Sequence, residues 1–234
     1  MYRNSTADRN SCQIPPLSSY LDSGIAMSDH RIVALFIKAP IPGRVKTRLA
    51  REIGDETACN IYITLVERVL HQIQASGLPL ALFFDGDASR LPESWQQAAH
   101  YCIRQQGADL GERMATAFRY LFTGGTDQVV LVGSDIPGID AVYLQQAFTL
   151  LHSHDLVIGP ALDGGYCLIG FRRHSFTSTV FEQIHWSTDQ VYPLTVQASV
   201  QAGLSAGILP ILRDIDTLED LKAYQTATTN VPKP

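Results

Sequence analysis

A chain of 234 residues that is 45% apolar can bury a sizeable core, as one domain or as a core domain with a small appendage. Its net charge of -5 argues against general binding to nucleic acid or to an anionic membrane, which requires a basic surface, and no apolar stretch is long enough for a membrane span. Four cysteines (Cys12, Cys59, Cys102, Cys167) at wide spacing, with no Cys-x-x-Cys pair, indicate neither a disulfide framework nor a zinc site, so a reducing cytoplasm is the expected compartment.

Residues 1–30 are polar and unperiodic and lack the apolar heart of a signal peptide. They are expected to be a disordered extension, or to precede a natural start at Met27. From 31 to 227 short apolar runs alternate with longer amphipathic ones, and 228–234 form a short tail. "RIVALFI" (31–37) reads as a strand, "DETACNIYITLVERVLHQIQAS" (55–76) as a helix, and "LALFFD" (80–85) and "YCIRQ" (101–105) as strands. "LGERMATAFRYLF" (110–122) is helical, "QVVLVGSD" (128–135) a strand and "AVYLQQAFTLLHS" (141–153) a helix. "DLVIGPA" (155–161) and "YCLIGF" (166–171), joined through "LDGG", suggest a local hairpin or one bent strand. "TDQVYPLTVQASVQAG" (188–203) is a helix that Pro193 should bend or shorten, "SAGILPIL" (205–212) a weak strand broken by Pro210, and "TLEDLKAYQTA" (217–227) a last helix. Several strands are apolar on consecutive positions, as strands covered on both faces are. The alternation implies one domain of α/β class, a three-layer α/β/α sandwich around a mostly parallel sheet. In such sheets ligands bind where loops leave the carboxyl ends of strands.

The loop after the first strand stands out. In the fourteen residues from Lys38 to Arg51 lie five cations (Lys38, Arg44, Lys46, Arg48, Arg51) and no acid. Pro40 and Pro42 stiffen the exit from the strand, and Gly43 permits a positive φ or close approach of a ligand. A helix beginning near Val45 would add free N–H groups to Lys46 and Arg48. The density suits a diphosphate or triphosphate, although charge runs are more often solvated faces. Gly-x4-Gly-Lys-Ser/Thr spacing is missing, so this is not a P-loop.

The other polar loops could complete the site. Asp135, just past the strand in "VVLVGSDIPGI", is suited to hold Mg²⁺ or Mn²⁺ against phosphate oxygens, or simply to turn the chain before Pro137. Gly133 and Ser134 beside it would let a nucleotide lie close. In "RDIDTLEDL", Asp216 could be a second metal ligand, with Asp214 a weaker choice, while Asp216 and Glu219 also match a capping box. In "GADLGERM", Asp109 and Glu112 fit helix capping, and Gly111 and Arg113 could meet a nucleotide or phosphate. Asp163 in "PALDGGYCLIG" could act as a base on an acceptor hydroxyl that Gly164 and Gly165 let approach, or it could merely make a turn. Ser187 is a candidate helix N-cap, Trp186 a core or stacking residue, and His71, His152 and His154 read as surface histidines.

Taken together, "KAPIPGRVKTRL", "GADLGERM", "GSDIPG", "PALDGGYCLIG", "IHWSTDQV" and "DIDTLEDL", in that order, resemble a bacterial glycosyltransferase-A-like family. Its members, long labelled as a domain of unknown function, are linked to nucleotide-sugar transfer, including arsenosugar biosynthesis. The resemblance covers about residues 31–227. It implies the nucleotide-diphospho-sugar transferase fold and a divalent metal on Asp135. The basic loop and "DIDT" also resemble 2-phospholactate guanylyltransferase. The Gly-Gly-x-Gly-x-Arg signature of sugar-nucleotide pyrophosphorylases is absent, and "GSD" keeps only the last acid of Asp-x-Asp.

The expected activity is therefore metal-dependent transfer from a nucleotide-activated substrate, with glycosyl transfer to a small acceptor first. Lys38, Arg44, Lys46 and Arg48 would bind phosphate, Asp135 and Asp216 the metal, and Lys46, Asp135 and Asp163 would carry catalysis. The alternatives are nucleotidyl transfer from a nucleoside triphosphate to a phosphorylated small molecule, and nucleotide binding without turnover.

Overall fold

The computed structural model describes residues 30–229. The expected disordered extension therefore lies outside the described residues except for His30, as do 230–234 of the tail. Strand β1 (Arg31–Lys38) shows why the fold has three layers. Val33, Leu35 and Ile37 point into one core and Ile32, Ala34 and Phe36 into another, the two-residue alternation of a strand covered on both faces.

Around β1 the chain builds one seven-stranded sheet in the order β3-β2-β1-β4-β6-β5-β7. The strands are β2 (Leu80–Asp85), β3 (Tyr101–Arg104), β4 (Gln128–Gly133), β5 (Leu156–Pro160), β6 (Tyr166–Arg172) and β7 (Ala206–Ile208). β1 is parallel to β2 and β4, β2 to β3, and β5 to β7. β6 runs antiparallel to both β4 and β5, so "LDGG" is a hairpin rather than a bent strand.

One core lies under α2 (Asp55–Ala75), the short α3 (Glu93–Gln97) and α5 (Ala141–Leu150), through Tyr62, Val66, Trp95, Tyr143 and Phe148. Against the opposite face packs α4 (Leu110–Thr123) with Met114, Phe118 and Leu121, and α6 (Val191–Gln201) adds Tyr192 and Val196. A small satellite cluster joins α1 (Thr47–Ile53) to α7 (Leu218–Thr229) through Leu49, Ala50, Leu218 and Leu221.

Three local expectations change. α6 begins at Val191, so Pro193 occupies the first turn, where its missing N–H has no intrahelical acceptor to lose. Of "SAGILPIL", Ala206–Ile208 pairs as a strand, and Leu212 returns to bridge Ala161. The last helix opens one residue later than the Asp216–Glu219 box required. The Asp220 carboxylate accepts from Thr217 N (3.0 Å) while Thr217 Oγ1 accepts from Asp220 N (3.2 Å). This Thr-x-x-Asp box spares Asp216 from capping.

Register fixes what reaches the carboxyl edge of the sheet. Lys38 lies beside Asp85, Phe84 beside Arg104, and Phe36 beside Gly133. The hairpin turn 161–165 lies at that same edge because β5 is joined there to the antiparallel β6.

Candidate active site

Two adjoining clefts open on this edge. The first, about 640 Å³, is lined by Lys38, Arg44, Lys46, Arg48 and Arg113 together with Ser134 and Asp135. The second, about 410 Å³, is lined by Asp163, Asp189 and Asp214, with Gly165, Tyr166 and Trp186. Arg48, Leu110, Asp135, Ser187 and Asp216 line both.

Asp135 and Asp216 come together on Lys46. The Lys46 ammonium donates to Asp135 Oδ2 at 2.7 Å and to Asp216 Oδ1 at 3.4 Å, and Arg48 donates to Asp216 Oδ2 at 2.9 Å. Residues 89 and 170 positions from Lys46 in sequence are gathered by the sheet. The Ile215 N–H donates to the Asp135 carbonyl at 3.1 Å, tying the 212–216 segment to the end of β4. Lys46 sits just ahead of α1 with φ 47 and ψ 44, and its side chain is 3% exposed. A buried ammonium needs compensating charge, and the two carboxylates supply it. α1 spans only seven residues, so the side chains, rather than a long helix axis, make the positive field.

The strand exit is held by a residue that sequence reasoning missed. Tyr62, buried on α2, donates its hydroxyl to the Lys38 carbonyl (3.1 Å) and accepts from Lys38 N (2.7 Å). Burial pushes this phenol up to about 12. Gln105, also missed, donates to the Ile37 and Phe83 carbonyls and seals the ends of β1 and β2. No local pattern marks either residue, because both act across the fold.

Other candidates divide clearly. Arg113 lines the first cleft and pairs with Asp85 at 3.1 Å, while Asp109 caps α4 by accepting from Glu112 N at 2.8 Å. Ser134 is buried beside Tyr62. Pro42 and Gly43 line neither cleft; Gly43 serves the loop's turn at φ +75. Gly111 also lies away from both, because its missing Cβ is what lets Trp186 pack against α4, at 2.7 Å from where that atom would be. Gly164 has φ +87 and abuts the Asp189 backbone, so it admits a chain segment rather than a substrate. Gly165 does line the second cleft, where Asp163 accepts from Gly165 N at 2.9 Å. Asp163 thus makes the turn and also faces the cleft. Ser187 is not a helix cap: it has φ +65, four residues before α6, and lines both clefts.

Asp214 is more significant than its sequence context suggests. Burial first, and then the nearby Asp163 and Asp135 carboxylates, raise its pKa to about 6. Among the described residues no three His, Cys, Asp or Glu side chains gather into a metal cluster. Asp135 and Asp216 alone match the one or two carboxylates by which Mg²⁺ is held when substrate phosphates and water complete its shell. They do not match a dedicated protein cage.

The family model of the uncharacterized proteins conserved in bacteria (DUF2064) matches residues 68–188. This chain belongs to the DUF2064 family. A crystal structure from Desulfovibrio desulfuricans G20, provisionally named a nucleotide-diphospho-sugar transferase, is 39% identical, covering 86% of this chain and 89% of its own, with a TM-score of 0.81. A cytidylyltransferase from Leptospira borgpetersenii serovar Hardjo-bovis is 14% identical, with 88% and 89% covered and a TM-score of 0.57. The 4-diphosphocytidyl-2C-methyl-D-erythritol synthase of Anaerococcus prevotii DSM 20548 is 10% identical, with 86% and 100% covered and a TM-score of 0.55. Those two show the fold alone. No curated protein matches the sequence. The DUF2064 chain has the nucleotide-diphospho-sugar transferase type of fold, as its motifs implied, and no helix among the described residues is long and apolar enough to cross a membrane.

Proposed function

We propose that this protein transfers a glycosyl group from a nucleotide-diphospho-sugar to a small neutral or cationic acceptor bearing a hydroxyl. One observation carries the reading: of two clefts that meet at Asp135, Asp216 and Arg48, the first adds Lys38, Arg44, Lys46 and Arg113 against the single acid Asp109, and the second adds Asp163, Asp189 and Asp214 and no further cation. Cations line the first, which suits a diphosphate. Carboxylates line the second, which repels an anionic acceptor. The provisional name of the 39% identical relative supports the donor class.

In this reading Lys38, Arg44, Lys46 and Arg48 bind and orient the diphosphate, and Ser134 lets the nucleotide lie against the end of β4. Asp135 and Asp216 would hold Mg²⁺ or Mn²⁺, which when bound supplies positive charge to the leaving diphosphate. Arg48 and, once it turns toward the diphosphate, Lys46 add positive charge on the leaving group. The bond from the sugar to the diphosphate breaks, a bond from sugar to acceptor oxygen forms, and the acceptor's proton passes to a carboxylate of the second cleft. Asp163 or Asp214 would receive it, while Trp186 and Tyr166, which line the same cleft, would form an apolar wall for a sugar or ring.

A second reading, nucleotidyl transfer with pyrophosphate release, is favoured by one feature. Lys38 and Arg44 are exposed cations on the first cleft beyond the Lys46–Arg48 pair, enough to receive a second phosphorylated substrate.

The test is a screen of nucleotide sugars, with and without Mn²⁺, followed by release of nucleoside diphosphate. Turnover is expected with at least one donor, and Asp135→Asn should lower it by about 10²-fold or more. Pyrophosphate release from nucleoside triphosphates in the presence of phosphorylated acids, with every nucleotide sugar inert, would replace this reading with the second.

A further inference from the structure

The geometry points to a metal site that its own lysine closes until phosphate arrives. The inference rests on the metal role proposed for Asp135 and Asp216. Lys46 Nζ lies 2.7 Å from Asp135 Oδ2 and 3.4 Å from Asp216 Oδ1. A divalent ion shared by those two carboxylates would bind at oxygen distances of about 2.0–2.1 Å for Mg²⁺, in the space the ammonium takes. Two cations cannot share that point, because their repulsion grows as the site becomes less solvated, and the Lys46 side chain is only 3% exposed.

The lysine has somewhere to go. It lines the first cleft along with Lys38, Arg44 and Arg48, so a diphosphate entering there offers the ammonium new acceptor oxygens. Once Lys46 turns to phosphate, Asp135 loses its counter-charge and Asp216 keeps only the exposed Arg48, 2.9 Å from its other oxygen, so the divalent ion replaces the ammonium. Phosphate and metal then bind cooperatively, since each needs the lysine in the same displaced position. The backbone fits this role. Lys46 holds φ 47, a left-handed conformation that a non-glycine residue occupies at a cost, and the ion pairs offset that cost in the ligand-free protein.

Consequently metal alone is a poor ligand, and removal of the ammonium improves it. A site open for less than about a tenth of the time binds roughly tenfold more weakly than one always open. The test is titration of the full chain with Mn²⁺ alone, in phosphate-free buffer, read by calorimetry or by the paramagnetic signal of free Mn²⁺. Lys46→Met is expected to bind one Mn²⁺ about tenfold or more tightly than the wild type. Lys46→Gly, which suits the left-handed backbone, should do the same if Lys46→Met folds poorly. Asp135→Asn should abolish binding in both backgrounds. With inorganic pyrophosphate added, Mn²⁺ should raise the wild type's melting temperature by more than the two separate shifts combined, and the lysine variants should lose that excess.

Two results would overturn the inference, and they differ. If the wild type binds Mn²⁺ through Asp135 as tightly as Lys46→Met and Lys46→Gly, lysine and metal coexist, and the proposed function stands without the closure. If none of these proteins binds Mn²⁺, the metal role itself is wrong and the closure falls with it.

Discussion

Among the described residues only Lys46, Gln183 and Ser187 are non-glycine with positive φ, and Lys46 and Ser187 both line the first cleft. Strain of this kind, about 1–3 kcal/mol per residue, persists where the surroundings hold the residue in place. Asp214 shows a comparable tension in charge. Its pKa stands at about 6, above the ordinary 3.8, because burial and two neighbouring carboxylates oppose ionisation. Below 3.8 the group is protonated in folded and unfolded chains alike and costs nothing. Above 6 it is ionised in both, and the folded state bears the whole penalty. Asp214→Asn is therefore expected to raise the melting temperature at neutral pH in the presence of a chelator. The gain should shrink as pH falls through 6 and vanish near 3.8. A gain that stays constant over that range would mean that Asp214 titrates normally.

At the scale of elements, the position of Asp216 depends on where α7 starts. Asp220 Oδ2 accepts from Thr217 N, Thr217 Oγ1 and Asp216 N, and α7 packs on α1 through Leu218, Leu221, Leu49 and Ala50. Thr217→Ala should cost about 1 kcal/mol as a lost cap, a fall of roughly 2–4 °C in melting temperature. It should also weaken the stabilisation by Mn²⁺ in the presence of pyrophosphate, since Asp216 loses its anchored neighbour; a normal response to that pair with the lower melting temperature would place Asp216 beyond the cap's influence. The same element shows what the sequence could convey. Strongly apolar strands such as "RIVALFI" and amphipathic runs such as 55–76 are local patterns, so the three layers were legible. That Lys38, Arg44, Lys46 and Arg48 would share one cleft with Asp135 and Asp216 was legible as a possibility, because a stiff loop rich in cations without an acid and carboxylates in loops after apolar runs are local patterns. Asp-x-x-Glu and Thr-x-x-Asp overlap in "DTLED", however, and only packing of α7 on α1 chooses between them. Gly111 and Gly164 were misplaced for a related reason. A glycine signals close approach, but whether a ligand, Trp186 or the Asp189 backbone approaches is decided by distant chain. Tyr62 and Gln105 carried no local signal.

For the whole molecule, the consequence of the fold is a division of labour across the carboxyl edge of the sheet. The end of β1 with the loop after it, α4 and the end of β4 deliver the cations and Asp135, whereas the reversed hairpin β5–β6, the approach to α6 and the segment after β7 deliver Asp163, Asp189 and Asp214. Under the proposed function, an acidic protein would hold a polyanion on one side of Asp135 and exclude a second polyanion on the other. Asp189→Lys tests this division, because its side chain is exposed and the change reverses charge in the second cleft alone. Donor cleavage with water as acceptor should change little. Transfer to a neutral or cationic acceptor should suffer through KM by about tenfold, the effect of roughly 1.4 kcal/mol of altered interaction in a partly solvated site. Because the Asp189 backbone seats Gly164, an unchanged melting temperature is part of the expected result. If donor cleavage falls in step with transfer, the two clefts act as one, and charge separation does not explain which acceptor is taken.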